Sequence, residues 1–187
     1  MLLRVAALLL AASAPGTTDD SATAAKRLPA AVPLGACTVS LGSNATASEQ
    51  FAAAELSTIG GNMSGGDPLP IQRGEAGAGA APCTIAVGYS AAVAAGVAPS
   101  QLTESKLGFE GYVVSDLGAS VWAATGADGA PRGAVFAVYE LLERMGWMQL
   151  AWDEELMPAK PPQMPAAISV ARSGAPSGVV WREVDDW

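Results

Sequence analysis

Acidic side chains are the groups in this sequence with the clearest capacity for catalysis. Hydrolysis of a glycosidic bond uses two carboxyl groups that flank the bond, about 5–9.5 Å apart. The candidate groups are Glu140 with Glu143, the acidic run 153–155, and Asp185 with Asp186. Glu140 and Glu143 fall on the polar face of a predicted helix, and the run 153–155 precedes a Pro-rich stretch. Asp185 and Asp186 are adjacent, so on a strand their side chains would point to opposite faces. We interpret all three groups as solvated charges and predict no catalytic residue.

Other catalytic classes fail because the sequence contains no histidine. Ser-His-Asp and Cys-His nucleophilic sites need an imidazole, and so does the H-E-x-x-H motif of zinc proteases. The Gly-rich segments 74–79 and 126–133 do not match the P-loop or the dinucleotide fingerprint in context, and we interpret both as plain loops. The sequence therefore predicts no metal site and no cofactor.

Tryptophan side chains could stack on sugar rings, and the sequence has five of them. Large aromatic side chains are usually buried, which favours core or inter-domain packing for Trp122 and Trp147. The other three are Trp152, Trp181 and Trp187.

The charge balance limits the possible partners. The chain of 187 residues carries 10 basic and 18 acidic side chains, a net charge of −8. Phosphate backbones and anionic membranes attract basic proteins, so we predict neither a nucleic-acid partner nor a membrane-surface partner. The length suits one domain with a tail.

The first 16 residues are typical of a secretory signal peptide. A basic start at 1–4 precedes an apolar run at 5–14 that is too short to span a bilayer, and small residues follow. Pro15 disfavours cleavage after Ala14, so cleavage after Gly16 is an equal alternative. An uncleaved anchor and a transit peptide are the competing interpretations. No later segment is long and apolar enough to cross a membrane, so we predict a secreted protein.

Two further features fit an extracellular compartment. Cys37 and Cys83 are the only cysteines, and each begins a predicted strand. They predict either a disulfide between neighbouring strands or two buried thiols. Asn44 and Asn62 begin N-x-Ser/Thr sequons in predicted loops, where glycosylation needs them.

Strands and helices mix along the whole chain. Residues 17–33 lack periodicity and predict a flexible lead-in. Gly60 and Gly61 predict the end of the first helix, which begins at Thr46 with capping-box spacing to Glu49. Predicted strands cover 37–41, 69–72, 84–89, 109–115, 119–125 and 168–171, with a connection at 116–118 and a helical turn at 91–98. Residues 147–152 are predicted to be extended. This pattern indicates an α/β fold, a two-layer sandwich with helices packed on a mixed sheet.

The second helix is the best specified element. Pro131 suits its first position and Gly146 suits its left-handed end. Glu140 and Arg144 lie four residues apart in the favourable order. One apolar stripe follows helical spacing, at Val135, Val138, Tyr139 and Leu142.

These segments resemble a known family. The run GADGAPRGAVFAVYELLERMG at 126–146 resembles the G-x-D-x-R-G-x-x-Y-G-V-Y-x-L-L-E-x-L-G signature of the N-terminal accessory domain of α-glucuronidases, which is related to the second domain of β-N-acetylhexosaminidases. Residues 44–56 resemble the first helix of that domain, and 84–88 and 109–114 resemble two of its strands. The motifs occur in family order over about residues 36–158.

The resemblance implies a domain organisation. It implies an accessory α/β domain at 34–158, a Pro/Gly-rich linker at 159–178, and the first strand of a catalytic (β/α)8 barrel at 179–187. Arg182 lies where the hexosaminidases place an arginine that holds the terminal sugar. Asp128, Arg132 and Gly133 are expected to orient a helix in this family rather than to bind a ligand.

The expected function follows from that organisation. The chain would be the non-catalytic N-terminal domain of a secreted, α-glucuronidase-like glycoside hydrolase, truncated before its barrel and inactive alone. Its partner would be the barrel, and its wider context carbohydrate degradation. The alternative is a free-standing secreted domain that binds carbohydrate or a protein.

Overall fold

A computed structural model describes residues 31–74, 81–130, 132–151 and 153–174. The predicted signal peptide, Arg182, Asp185 and Asp186 lie outside these residues, as do Pro131 and three of the five tryptophans. Within the described ranges, no helix is long and apolar enough to cross a membrane.

The centre of the fold is a mixed six-stranded sheet. Its strands are β1 (Cys37–Leu41), β2 (Ile71–Arg73), β3 (Cys83–Val87), β4 (Tyr112–Gly118), β5 (Val121–Gly126) and β8 (Ser169–Arg172). Their order is β2-β1-β3-β5-β4-β8. Neighbouring strands among β2, β1, β3 and β5 pair in parallel, whereas β4 is antiparallel to both β5 and β8. The mixed α/β class predicted from the sequence is therefore confirmed.

The larger core lies between the sheet and two helices, α1 (Ala47–Ser64) and α4 (Gly133–Arg144). Leu56 from α1 and Leu141 from α4 are fully buried, together with Val39 and Ile85 from the sheet. The stripe predicted on α4 faces this core, and the predicted Glu140–Arg144 ion pair is present at 2.7 Å. The two helices contact each other as well as the strands, so this layer is continuous.

A smaller core lies on the opposite face. Neighbouring strand residues point to opposite sides of a sheet, and accordingly Val113 and Ala123 belong to a different apolar cluster from Val114 and Ala124. This second cluster includes residues of α2 (Tyr89–Ala94) and α3 (Glu104–Leu107). The predicted two-layer sandwich thus describes only the main core, because short helices form a thin third layer.

The end of α1 was predicted wrongly. Thr46 and Glu49 form the predicted capping box, but the helix continues through Gly60 and Gly61 and ends before Gly65, which has φ 69°. A Cβ at Gly61 would lie 2.6 Å from the carbonyl oxygen of Asp67. The two glycines therefore permit close packing of the 67–69 segment against the helix, and they do not end the helix.

The connection between β4 and β5 also differs from the prediction. Asp116 and Gly118 belong to β4, which carries a bulge there, and the turn is Ala119-Ser120 with φ 50° and 61°. Asp116 accepts a hydrogen bond from the amide of Gly118 (2.8 Å) and another from the amide of Ala167 (2.9 Å). These contacts extend the strand past the predicted turn.

Residues assigned to the lead-in and to the linker contact each other. Met164 in the predicted linker donates to the carbonyl of Val32 in the predicted lead-in (2.8 Å), and Leu34, the first residue of the predicted domain, donates to the carbonyl of Pro162 (3.1 Å). Beyond them, the predicted strand at 168–171 forms β8 and pairs with β4. The sheet therefore extends past the domain boundary predicted at residue 158.

A hairpin projects from the end of α4. The predicted extended segment forms β6 (Met148–Ala151), which pairs with β7 (Glu154–Leu156) in a separate two-stranded sheet. Met148, Leu150 and Leu156 are each half exposed or more.

The predicted disulfide joins Cys37 and Cys83. The two residues are register partners on adjacent parallel strands, and their Cα atoms are 4.3 Å apart. Both side chains are buried, so the bridge lies inside the main core.

Candidate functional site

The sheet has a topological switch point between β1 and β3. The chain leaves β1 through α1 towards β2 on one side, and it leaves β3 through α2 towards β4 and β5 on the other. The two helices pack on opposite faces of the sheet. Connections that diverge in this way open a crevice at the carboxyl ends of the strands, where α/β proteins commonly bind ligands.

Glu49 connects the two diverging loops across the base of this crevice. One carboxylate oxygen accepts from the amide and the hydroxyl of Thr46 (2.8 and 3.0 Å), and the other accepts from the amide of Tyr89 (2.6 Å). Gly88 has φ 86°, and a Cβ there would lie 2.5 Å from the Glu49 carboxylate. Glycine is therefore required at residue 88 for the carboxylate to approach the backbone.

A shallow cleft of about 180 Å³ opens above this contact. Three connections supply its walls: the loop after β1, the start of α2, and the turn after β5. We call it the switch-point cleft, and its lining residues are Asn44, Thr46, Glu49, Tyr89, Ser90, Ala127, Asp128, Gly129 and Ala130. The hydroxyl of Ser90 donates to Oδ1 of Asn44 (2.7 Å), which ties the first two walls together.

The polar groups of the cleft include both donors and acceptors. The Asn44 amide supplies both kinds, the Ser90 and Tyr89 hydroxyls each donate or accept, and the exposed Asp128 carboxylate accepts. The lining contains no lysine or arginine. The cleft can therefore bind a polar ligand through hydrogen bonds but offers no cation to hold an anion.

The predicted carboxylate pairs do not form a hydrolytic site in the part of the chain described. Glu140 is partly buried and is not the freely solvated charge that was predicted, since it accepts from the Tyr112 hydroxyl (2.8 Å) and from Arg144 (2.7 Å). Burial alone would raise the pKa of Glu140, but these hydrogen bonds and the Arg144 charge hold it below its ordinary value. A general acid needs a raised pKa. Glu143 is exposed, and Asp153, Glu154 and Glu155 are exposed as predicted.

Metal-ligating clusters are likewise missing from the described residues, which contain no group of three or more Cys, Asp or Glu placed to hold a metal ion. Arg132 forms an ion pair with Glu110 at 3.5 Å on the surface. Gly133 lies against the backbone of Gly126 and Gly111, which agrees with the packing role expected of it.

The two sequons occupy different settings. Asn44 lies in an exposed loop, as predicted, and lines the switch-point cleft. Asn62 was predicted in a loop, but it lies exposed in the last turn of α1 because that helix continues past Gly61. Glycosylation at both remains a prediction.

The tryptophans predicted to pack do so. Trp122 and Trp147 are buried. The indole N–H of Trp122 donates to the carbonyl of Pro165 (3.0 Å), and Trp147 stacks on Tyr139 with ring centroids 5.6 Å apart.

Sequence reasoning missed the switch-point cleft, although a signal for it was present. Asn44, Tyr89-Ser90 and Asp128 each follow the carboxyl end of a strand in the parallel part of the sheet. Because parallel strands end at one edge, polar residues directly after each of them converge. The strand predictions were sufficient for that inference once the strand order was assumed.

Comparison with known proteins does not assign this chain to a family. No protein-family model matches this chain, and no curated protein matches it.

Proposed function

We propose that this chain serves as the non-catalytic accessory domain of a secreted glycoside hydrolase of the α-glucuronidase kind. The observation that carries the proposal is the family order of the resembling motifs, which correspond to α1, β3, β4 and α4. These four elements contribute residues to one apolar core. Within this set, α1 contacts α4 and β3, and α4 contacts β4.

The glycines of the signature segment support the proposal physically. Gly126 ends β5 and Gly133 begins α4, and a Cβ at Gly133 would lie 2.5 Å from the Cα of Gly126 and would also overlap the carbonyl oxygen of Gly111. The helix thus approaches the sheet backbone directly. This contact gives both glycines a structural reason, although they are seven residues apart here and five apart in the signature.

The accessory role is to pack against a catalytic barrel and shape the entrance to its substrate site. An exposed apolar surface is consistent with that role, and the β6–β7 hairpin presents Met148, Leu150 and Leu156 to solvent. Secretion is part of the proposal and is supported by the disulfide, since such bonds persist in oxidising compartments.

The length of the native protein tests the proposal. An antibody raised against this chain would isolate the protein from its natural source and from the medium around it. We expect a secreted product much larger than 187 residues. Mass spectrometry of its peptides should identify a (β/α)8 barrel domain C-terminal to Trp187. A secreted product of this chain alone would support the free-standing binding domain instead.

Hydrolase assays test the non-catalytic part of the proposal separately. The purified chain should release neither uronic acids nor hexosamines from polysaccharides or aryl glycosides. Turnover that persists through purification, and that scales with the concentration of this chain, would contradict it.

A further inference from the structure

We infer that the switch-point cleft binds a single neutral sugar ring. The inference rests on the geometry of the cleft and not on the accessory role, so either can fail alone. The three connections that form the cleft come from separate parts of the sequence. Glu49 and the Ser90–Asn44 hydrogen bond join the first two, and in the third the amide of Asp128 donates to the carbonyl of Leu102 (2.8 Å). The walls are thus fixed before a ligand arrives, which lowers the entropy cost of binding.

The donor and acceptor pattern selects the ligand class. Each hydroxyl of a sugar both donates and accepts, and the lining of the cleft includes the polar side chains of Asn44, Ser90 and Asp128. Tyr89, which is partly buried against the smaller core, also lines the cleft, and an aromatic ring is the kind of surface on which sugar C–H groups pack. The Ser90 hydroxyl already donates to Asn44 Oδ1, so a sugar hydroxyl can bond to the Asn44 NH2 group and to the Asp128 carboxylate, whereas an apolar ligand would desolvate that carboxylate without replacing its hydrogen bonds to water.

The charge of the cleft excludes anionic ligands. Glu49 and Asp128 are both acidic, the lining has no basic side chain, and the whole chain carries a net charge of −8. A phosphate or a carboxylate in the cleft would lie beside like charges without a partner. A neutral sugar should therefore bind better than the uronic acid with the same ring.

The size of the cleft limits the ligand to one ring. Sites for drug-sized molecules have volumes of about 300–1,000 Å³, and the switch-point cleft has about 180 Å³. The small contact area and the open rim predict weak binding, with a dissociation constant in the millimolar range.

Asn44 couples the cleft to glycosylation, because the sequon asparagine is itself a wall residue. The inference applies to the chain without a glycan on Asn44, because a glycan on this residue would compete with a free sugar for the cleft. The test therefore uses the chain exported to the bacterial periplasm, where the disulfide forms and no glycan is added to Asn44.

Amide NMR titration measures the binding, with three probes. Methyl β-D-glucopyranoside is the neutral ring, D-glucuronate is its charged counterpart, and inorganic phosphate is the anion. We expect saturable shifts of the Asn44, Tyr89, Ser90 and Gly129 amides with the glucoside, at least about tenfold weaker binding of glucuronate, and no saturable shifts with phosphate.

The Asp128→Asn variant locates the site. The Asp128 side chain is exposed, and the backbone amide keeps its hydrogen bond to Leu102, so the fold should not change. The substitution removes the negative charge and turns one acceptor oxygen into a donor, and weakening a charge-assisted hydrogen bond in this way should lower the affinity for the glucoside about tenfold. Asp153→Asn is the matched control, because it removes an exposed carboxylate outside the cleft and should leave the affinity unchanged.

Three results would overturn the inference. They are the absence of saturable shifts up to the highest glucoside concentration, shifts located outside the cleft, and equal affinity of the Asp128→Asn variant and the unmodified chain. Equal binding of glucuronate and glucoside would contradict the neutral-ligand assignment. None of these results bears on whether a barrel follows the domain.

Discussion

At the residue scale, Glu49 connects the starts of two helices that lie far apart in the sequence. Its carboxylate accepts from Thr46 at the start of α1 and from the Tyr89 amide at the start of α2. The Thr46 contact was predictable, because the capping box is a local pattern. The Tyr89 contact spans 40 positions, so no local pattern could indicate it.

Replacement of Glu49 by Gln tests this role. The amide retains the length of the side chain, but one of its two acceptor oxygens becomes a donor that faces an N–H group. We expect the free energy of unfolding to fall by about 1–2 kcal/mol. Urea denaturation measures the change, with Glu143→Gln on the exposed face of α4 as the control. Equal stability of the two variants would show that the bridge contributes nothing.

The raised pKa of the Tyr139 hydroxyl predicts how the free energy of unfolding changes at alkaline pH. Burial raises the pKa of the Tyr139 hydroxyl to about 12, aided by its hydrogen bond to Glu55 (2.9 Å) and by the nearby Glu155 charge. In the unfolded chain the pKa is about 10. Because the folded protein favours the protonated phenol, this contribution is complete below pH 10 and is lost as pH rises towards 12.

The Tyr139→Phe variant should reveal that contribution. At pH 7 the free energy of unfolding should fall by about 1 kcal/mol through loss of the hydrogen bond. Above pH 10 the Tyr139 hydroxyl ionises in the unfolded form of the unmodified protein, which lowers the stability of that protein but not of the variant. The difference in the free energy of unfolding between the two proteins should therefore shrink. Denaturation at pH 7, 9, 10 and 11 measures the trend. A difference that stays constant with pH would refute the assignment to this hydroxyl.

At the element scale, the sequence predicted strands and helices better than their ends. The strand at 37–41 and the capping box of α1 depend on local alternation and local hydrogen bonds, and both are confirmed. The end of α1 and the turn at Ala119-Ser120 depend on what packs nearby. Gly61 accommodates the Asp67 backbone, and Asp116 holds a bulge against Ala167. Such contacts are invisible before the tertiary arrangement is known.

The start of α4 gives an element-scale prediction. Gly133→Ala would place a methyl group against the backbone atoms of Gly126 and Gly111, which have no rotamers with which to move away. The helix must shift from the sheet, and overpacking of this kind costs about 1–3 kcal/mol.

The control for this prediction is Gly66→Ala, because a Cβ at Gly66 has no neighbour within 4 Å and its φ is not positive. Thermal denaturation should show a lower midpoint for the Gly133 variant and little change for the Gly66 variant. Similar midpoints for both variants would mean that α4 does not rest on these glycines.

At the scale of the whole molecule, strand order was the missing information. The sequence indicated strands and a mixed sheet but not that β1 and β3 are neighbours whose connections diverge. The switch-point cleft exists only through that order. The disulfide illustrates the same limit, because the sequence left a bridge and two thiols as alternatives until the register placed Cys37 opposite Cys83.

The disulfide therefore yields a prediction about the whole molecule. It joins residues 46 positions apart, and closing a loop of that length restricts the unfolded chain enough to stabilise the fold by about 2–4 kcal/mol. The Cys37→Ala, Cys83→Ala double variant should lose that amount in urea denaturation. Its dependence on urea should also steepen, because the unfolded chain becomes less compact without the bridge.

Reducing agent supplies the control for the double variant. Both cysteines are buried, so dithiothreitol should reach the bridge only when the fold opens, and the native protein should resist reduction for as long as it stays folded. Once its disulfide is reduced, the unmodified chain should approach the stability of the double variant. Dithiothreitol should not change the stability of the double variant, which has no disulfide. Rapid reduction without unfolding, or a double variant within about 0.5 kcal/mol of the unmodified protein, would mean that the two strands hold their register without the bridge.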